Sequence, residues 1–332
     1  MPQSFDIITI GSATVDVFMH TDPQHAHLTH THHEKDVCYP LGAKILVKEL
    51  EFFIGGGGTN TAVGFSRLGF RTAYLGKIGN DENGSRILKC LKDESVAFIG
   101  ATAKKGYSGY SVILDSVAED RTIFAYKGSN DQLAAADIDF KKLNAQWFYF
   151  SSMMQKSFET QKRIVAHAAA RKIKIAFNPS LYIAALGAHH IARILAHTEI
   201  LIFNKEEAQA LLGDTDSNIQ NLCMKVAKFG PKIIVITDGR NGAHCYNTHE
   251  HLFYIVMPAK VKIIETTGAG DAFSVGFVAG IMNDKPTETA LKMGMLNAES
   301  VIAHRGAKNI LLGKGLFRTA EKDRRKVEKK KI

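Results

Sequence analysis

Short runs of β-branched and aromatic residues recur along the chain at Ile7–Ile10, Ala73–Ile78, Trp147–Phe150, Ile173–Phe177, Ile200–Phe203 and Ile233–Thr237. Continuous apolar runs of this length read as buried strands. Between them the period changes. Ser157–Arg171 places Phe158, Ile164, Val165 and Ala168 at helical spacing, and Ile219–Phe229 does the same with Leu222, Val226 and Phe229. Strand alternating with helix over most of the chain predicts the α/β class: a doubly wound, mainly parallel sheet with helices on both faces.

Two stretches break the alternation. Asp16 to Phe53 is polar and carries His20, His25, His27, His30, His32 and His33 before the apolar Leu46 to Phe52. Gly106 to Lys127 reads as two extended segments, Gly109–Leu114 and Arg121–Tyr126, joined around Ala118-Glu119-Asp120 in a hairpin-like pattern. Together they predict a small β-lid, from about 16–53 and 106–127, over a site at the sheet edge. Imidazoles are common metal ligands, but the Thr-rich surroundings of the histidines have no helical or strand spacing to orient them, so a solvated loop is expected there.

The bulk properties narrow the class. With 332 residues, 45% hydrophobic and 23% charged, the chain has the composition of a globular protein able to bury a large core. No apolar run approaches the roughly 20 residues of a membrane span, and a cytoplasmic location with no membrane partner is expected. Cys38, Cys90, Cys223 and Cys245 are scattered and form no CxxC pair, so neither a disulfide framework nor a zinc site is indicated. Of the net charge of +9, the segment from Lys314 to Lys331 supplies +6. One domain over 1–313 with a basic, solvated extension over 314–332 is the expected organisation, and nucleic acid is not an expected partner.

The chemistry concentrates in Glu265-Thr266-Thr267-Gly268-Ala269-Gly270-Asp271-Ala272-Phe273, where a small-residue loop opens an apolar helix. Glycines let backbone N–H groups approach a ligand, and a helix N-terminus receives phosphate oxygens. Beside bound phosphates Asp271 is electrostatically awkward unless it takes a proton from a hydroxyl attacking a γ-phosphoryl group. A simple helix cap is the alternative, and this loop alone leaves the two level. Earlier, Gly55-Gly56-Gly57-Gly58-Thr59-Asn60 links a strand-like segment to the helical Thr61–Leu68. Asn60 offers donor and acceptor to a polyhydroxyl ligand, although a glycine turn with an Asn cap would look the same.

These two segments, in this order, resemble the ribokinase-like, or PfkB, carbohydrate kinase family. The resemblance runs over about residues 5–312 through Gly11-Ser12-Ala13-Thr14-Val15-Asp16, Arg67-Leu68-Gly69, Gly79-Asn80-Asp81, Asn204-Lys205-Glu206-Glu207 and Thr237-Asp238-Gly239-Arg240-Asn241-Gly242. It implies ATP-dependent phosphorylation of a hydroxyl on a sugar or sugar-like molecule, with Asp271 as base and the backbone of Gly268, Ala269 and Gly270 as anion hole. Asp16, Gly56 and Asn60 would hold the acceptor. Asn204, Glu207, Thr237, Gly239, Gly242 and Asn297 would meet ATP, Glu207 also organising Mg2+ through water. Glu265 and Thr267 are candidates for a monovalent cation, K+. Asp81 reads instead as a helix-start residue.

Three positions depart from the family pattern. Glu265 stands where many members carry Asp, and Gly57 and Ser151 stand where ribokinases proper carry the Lys and carboxylate that hold ribose. Ribose is therefore not a secure acceptor. A nucleoside kinase is the rival, with Phe18, Phe52, Phe53 and Phe124 as stacking surface or, equally, as lid core or dimer contact. A metabolite-sensing regulator without catalysis is a further rival, and relatives suggest a homodimer through the lid. Contact with an acceptor phosphate is one reading of Arg121, also on the lid; a solvated strand position is the favoured one.

Overall fold

The computed structural model describes residues 4–21, 27–30, 35–115 and 121–332. Its main sheet has ten strands, ordered from one edge as Val327–Lys331, Leu252–Val256, Ala243–Asn247, Ile233–Thr237, Ile200–Asn204, Lys174–Phe177, Ala145–Phe150, Phe5–Ile10, Thr72–Leu75 and Ala97–Phe98. From Ile233–Thr237 to Ala97–Phe98 every pairing is parallel, and the remaining strands add antiparallel to the other edge. Alternate residues go to opposite faces. Ile8, Phe148, Phe150, Ile175 and Leu201 enter one core, while Ile7, Trp147, Tyr149, Ala176 and Ile202 enter the other. Both faces are covered, which is why the strands are continuously apolar in sequence.

The helices Gln155–Arg171, Lys205–Leu212 and Ile219–Ala227 close the first core, and Gly57–Arg67, Ala269–Met282 and Thr287–Ile302 close the second. From Phe5–Ile10 the sheet grows to Thr72–Leu75 on one side and later to Ala145–Phe150 on the other. Strand order thus reverses at the centre, the position where doubly wound sheets open a crevice beyond their carboxyl ends. Asp81 caps the helix Glu82–Asp93, accepting from Gly84 N at 2.8 Å and from Ser108 Oγ at 2.6 Å.

The two stretches that interrupt the alternation form a four-stranded sheet ordered Arg121–Tyr126, Gly109–Asp115, Thr14–Thr21 and Val47–Gly55. Asp16 lies opposite Phe53 and Ser111, whereas Val17 lies opposite Phe52 and Val112, and Val112 opposite Phe124. Directly opposed residues share a face. Phe52 and Phe124 are therefore on the face away from Asp16, and Phe18 is already packed edge-on to Phe53 with ring centres 5.4 Å apart. This corrects the reading of these four rings as one stacking surface. His25, His32, His33 and the turn Ala118–Asp120 lie outside the described residues. Among the described residues no cluster of His, Cys, Asp and Glu could hold a metal, and no helix is long and apolar enough to cross a membrane.

The segment 314–332 corrects another expectation, because it is folded against the body rather than solvated. Leu316 and Ala320 of the helix Leu316–Lys322 enter the second core with Val327. Arg325 forks onto Glu299 with two 2.8 Å bonds, and Val327–Lys331 becomes an edge strand of the main sheet. Its lysines project from an edge, where charge discourages further strand pairing. Composition revealed the charge, but these few spaced apolar residues decide the position. Leu316→Ala should lower unfolding free energy in urea by about 2–4 kcal/mol, whereas exposed Lys330→Gln should stay within about 0.5 kcal/mol. Equal small effects would mean that the segment is not part of the core.

Candidate active site

Ser12, Ser151 and Asn178 follow three neighbouring parallel strands, and Asn204 and Thr237 end two more. All five border clefts at this end of the sheet. One cleft, of about 220 Å³, is walled by Asn204, Glu207, Thr237, Gly268 and Gly270. A second, of about 230 Å³, is walled by Ser12, Gly57, Lys127, Asp131, Ser151 and Tyr182. Asn178 and Asp271 border both.

Asp271 stands in the first turn of the helix Ala269–Met282. The N-cap is Gly268, at φ 82, where an added Cβ would lie 2.3 Å from that of Ala307. Only glycine allows this turn so close to its neighbour, and it supplies no side-chain cap. First-turn amides are thus left for a ligand. Of the three amides expected to form an anion hole, that of Ala269 is engaged by the Thr266 carbonyl at 3.2 Å, while Gly268 and Gly270 border the cleft. Asp271 is not a cap. Its Oδ2 accepts a 2.8 Å bond from Asn60 Nδ2. Burial pushes its carboxyl above the ordinary value, opposed by the Asn60 hydrogen bond and the charge of Lys308.

Asn60 therefore reaches Asp271 rather than standing free for an acceptor, and its buried Oδ1 has no hydrogen-bond partner. Gly56, at φ 92, makes the turn before the helix Gly57–Arg67; a Cβ there would meet the Ser12 carbonyl at 2.6 Å. It is not among the residues bordering either cleft. Asp16 is buried on the lid and accepts from Thr14 Oγ1 at 2.8 Å. Burial raises its carboxyl pKa, countered by hydrogen bonds from Thr14 and Ser111 and by Lys308 and Lys127.

Lys308 was not anticipated. It is 7% exposed, and its ammonium donates to Thr59 Oγ1 at 3.2 Å. Burial pulls its pKa down to about 8, against the upward influence of Cys90, Asp16, Asp271 and Glu94. One lysine among many in a loop gives no periodic signal, so sequence reasoning had no means to single it out. Asn178, Lys127 and Asp131 were missed for a similar reason, although the position of Asn178 just beyond a buried strand could have marked it.

The remaining candidates divide. Asn204 and Glu207 form a reciprocal capping box, each side chain accepting the other's backbone N–H at 2.8 Å. Glu207 also borders the cleft shared with Thr237 and Gly268, and its carboxyl is pushed up to about 6, first by burial and then by the charges of Glu206 and Asp271. Thr237 borders the same cleft, whereas Gly239 and Gly242 lie in the turn beyond it at φ 51 and φ 88. Asn297 is a correction. It is fully buried, donating to the Ala272 carbonyl at 2.7 Å and accepting from Leu312 N at 2.9 Å, so its amide is a strut between segments. Glu265 Oε2 accepts from Gly306 N at 2.9 Å, while Glu265 Oε1 and Thr267 Oγ1 are buried without hydrogen bonds.

A doubly wound sheet whose two clefts share one carboxylate beside a helix N-terminus defines a phosphotransferase of ribokinase-like fold. Residues 24–312 match the pfkB family carbohydrate kinase signature. Over 251 residues the chain is 30% identical to an uncharacterized sugar kinase of Archaeoglobus fulgidus, covering 74% of this chain and 97% of that one. A 5-dehydro-2-deoxygluconokinase of Bacillus licheniformis is 23% identical, with 91% of each chain covered. The structure of Arabidopsis thaliana ribokinase complexed with ribose and ATP superposes with a TM-score of 0.79 at 19% identity, covering 97% of this chain and 100% of that chain. The chain belongs to the pfkB family of carbohydrate kinases and is an ATP-dependent phosphotransferase with an alcohol group as acceptor.

Lys308 gives this site a pH signature. Its folded pKa, about 8, lies below the ordinary lysine value of 10.5. Between those values the unfolded chain holds the proton more tightly, so this group makes stability rise with pH through that window. Urea unfolding at pH 7.5, 9 and 10.5 should show wild type gaining on Lys308→Met as pH increases. A difference that stays flat would place the ammonium in solvent.

Proposed function

We infer that this chain transfers the γ-phosphoryl group of ATP to a hydroxyl of a sugar-like acceptor, with Asp271 as general base. The observation that carries the reading is the position of Asp271, on the border of both clefts and within the first turn of a glycine-capped helix. ATP occupies the Asn204–Thr237 cleft, and the acceptor occupies the cleft walled by Ser12, Ser151 and Tyr182. Asp271 takes the proton of the acceptor hydroxyl as that oxygen bonds to the γ-phosphorus and the bond to the ADP oxygen breaks. A carboxylate with raised proton affinity is the better base for this work. Asn60 fixes the orientation of Asp271, and the amides of Gly268 and Gly270 receive the charge that develops on the transferring group.

The donor set also fits the expected cations. Glu207, whose proton affinity is raised by burial and two neighbouring carboxylates, would hold Mg2+ through water together with Asn204. That ion would neutralise phosphate charge. Glu265 Oε1 and Thr267 Oγ1 are two buried oxygens without partners, and they suit a monovalent cation such as K+. The nucleoside alternative loses support, since Phe52 and Phe124 are on the lid face away from Asp16.

Coupled measurement of ADP release over pentoses, hexoses, their phosphates and nucleosides tests the reading. Asp271→Asn should reduce kcat about a hundredfold or more, with little change in the KM for ATP; a fully active variant would remove the base assignment. Glu207→Gln should raise the Mg2+ concentration for half-maximal rate by about tenfold. An unchanged Mg2+ requirement would restrict Glu207 to its helix cap.

A further inference from the structure

The acceptor cleft contains a charged pair that the transfer chemistry does not use. Asp131 is 9% exposed and borders the same cleft as Asp271. Among the described residues its carboxylate makes no hydrogen bond and no ion pair; Lys127 is the charge that acts on it. Lys127, also bordering the cleft, is likewise in no ion pair, and its ammonium lies over the ring of Tyr182, 5.7 Å from the centroid. The carboxylate oxygens are not among the fully buried atoms without partners, so they face the cleft. In a ligand cleft, the missing donors are naturally supplied by the ligand.

The turn that carries Asp131 is built to hold it still. Asn130, its neighbour, pairs with both backbone groups of Ala13 at 2.9 and 2.8 Å, and its own carbonyl accepts from Ser157 Oγ at 2.6 Å. Neither contact is made by Asp131 itself, so its carboxylate stays available while the backbone beneath it is fixed. A rigid support of this kind is what a selective site requires.

Charge then separates the acceptor classes. A carboxylate accepts from hydroxyl donors and an ammonium donates to hydroxyl oxygens, so the pair complements two adjacent hydroxyls. A phosphate or carboxylate on the acceptor would find Lys127 but would also face Asp131 and Asp271. No arginine borders the cleft among the described residues to offset that repulsion. We propose that Asp131 and Lys127 select the acceptor: the site takes a neutral polyhydroxyl compound, presenting adjacent hydroxyls to this pair, and rejects acceptors bearing a phosphate or carboxylate. This selection rests on the kinase reading above.

The test pairs neutral sugars and nucleosides with their phosphorylated and carboxylated counterparts, using the full chain, in both ADP release and calorimetric binding to Asp271→Asn. At least one neutral polyol should bind and react, with its anionic counterparts weaker in both. Asp131→Asn, nearly isosteric, should raise the KM of that neutral acceptor about tenfold or more, with kcat little changed and the penalty on the anionic counterpart reduced. Lys127→Met provides a second arm if Asp131→Asn does not fold, and it too should act on KM. If only anionic acceptors are phosphorylated, or if neither substitution moves the neutral KM, the selection is wrong while the kinase reading stands. If a neutral polyol binds in an Asp131-dependent way without ADP release, the selection stands and the kinase reading fails. If no acceptor of either class binds or reacts, both fail.

Discussion

The 2.8 Å hydrogen bond from Asn60 to Asp271 joins residues 211 positions apart and holds together the two halves of the site. A phosphotransferase needs a carboxylate at the point where two substrates meet, yet placing it beside phosphate charge and away from water favours its neutral form. Here burial raises the proton affinity of Asp271, while Asn60 and the ammonium of Lys308 restrain that rise. The balance suits the base proposed for this site, since the buried charge is not left uncompensated. Both helices involved begin at glycines with positive φ, Gly56 and Gly268, so the chain can turn sharply enough to bring their first turns together.

The main sheet supplies the rigid side of this arrangement. Strands buried on both faces end at a common level, and the residues just beyond them line the clefts. A short loop after the helix Thr287–Ile302 then ties together the parts that the sheet does not reach. Arg305 meets Glu51 of the lid at 3.0 Å, Gly306 donates to Glu265, and Lys308 reaches Thr59 at the start of the helix Gly57–Arg67. Lid, candidate cation loop and glycine segment are thus coupled through four consecutive residues. Electrostatics at the site is correspondingly shared: Asp16 on the lid and Asp271 on the body both act on the buried Lys308.

Family membership accounts for the phosphotransfer chemistry, while the cleft proposed for the acceptor is where this chain would be individual. Gly57 and Ser151 both border that cleft without supplying charge. The charges that do border it besides Asp271 are Lys127 and Asp131, from a turn pinned by Asn130 to the loop after the first strand. Charged groups on a different support would meet different substituents of an acceptor.

Much of this was legible in sequence because it depends on local chemistry. Apolar runs such as Trp147–Phe150 specified buried strands, glycines preceding Asn60 and Asp271 specified sharp turns into helices, and their order specified the family. What the sequence could not determine was the destination of side chains whose role depends on distant neighbours. Asn60 and Asp271 were each recognised, but not their contact; Lys308, Lys127 and Asp131 carried no local pattern; and Asn297, a polar residue within a helix, proved to be a buried strut. Phe52 and Phe53 are adjacent in sequence, yet strand pairing sends them to opposite faces of the lid. By itself the sequence determined the α/β architecture and the two glycine turns, and it singled out Asp271 as the candidate base, since backbone conformation and hydrophobic period act over a few residues. Only the tertiary structure decided which charges share the acceptor cleft and how strongly they shift one another, because burial and Coulomb interaction depend on three-dimensional distance rather than separation along the chain.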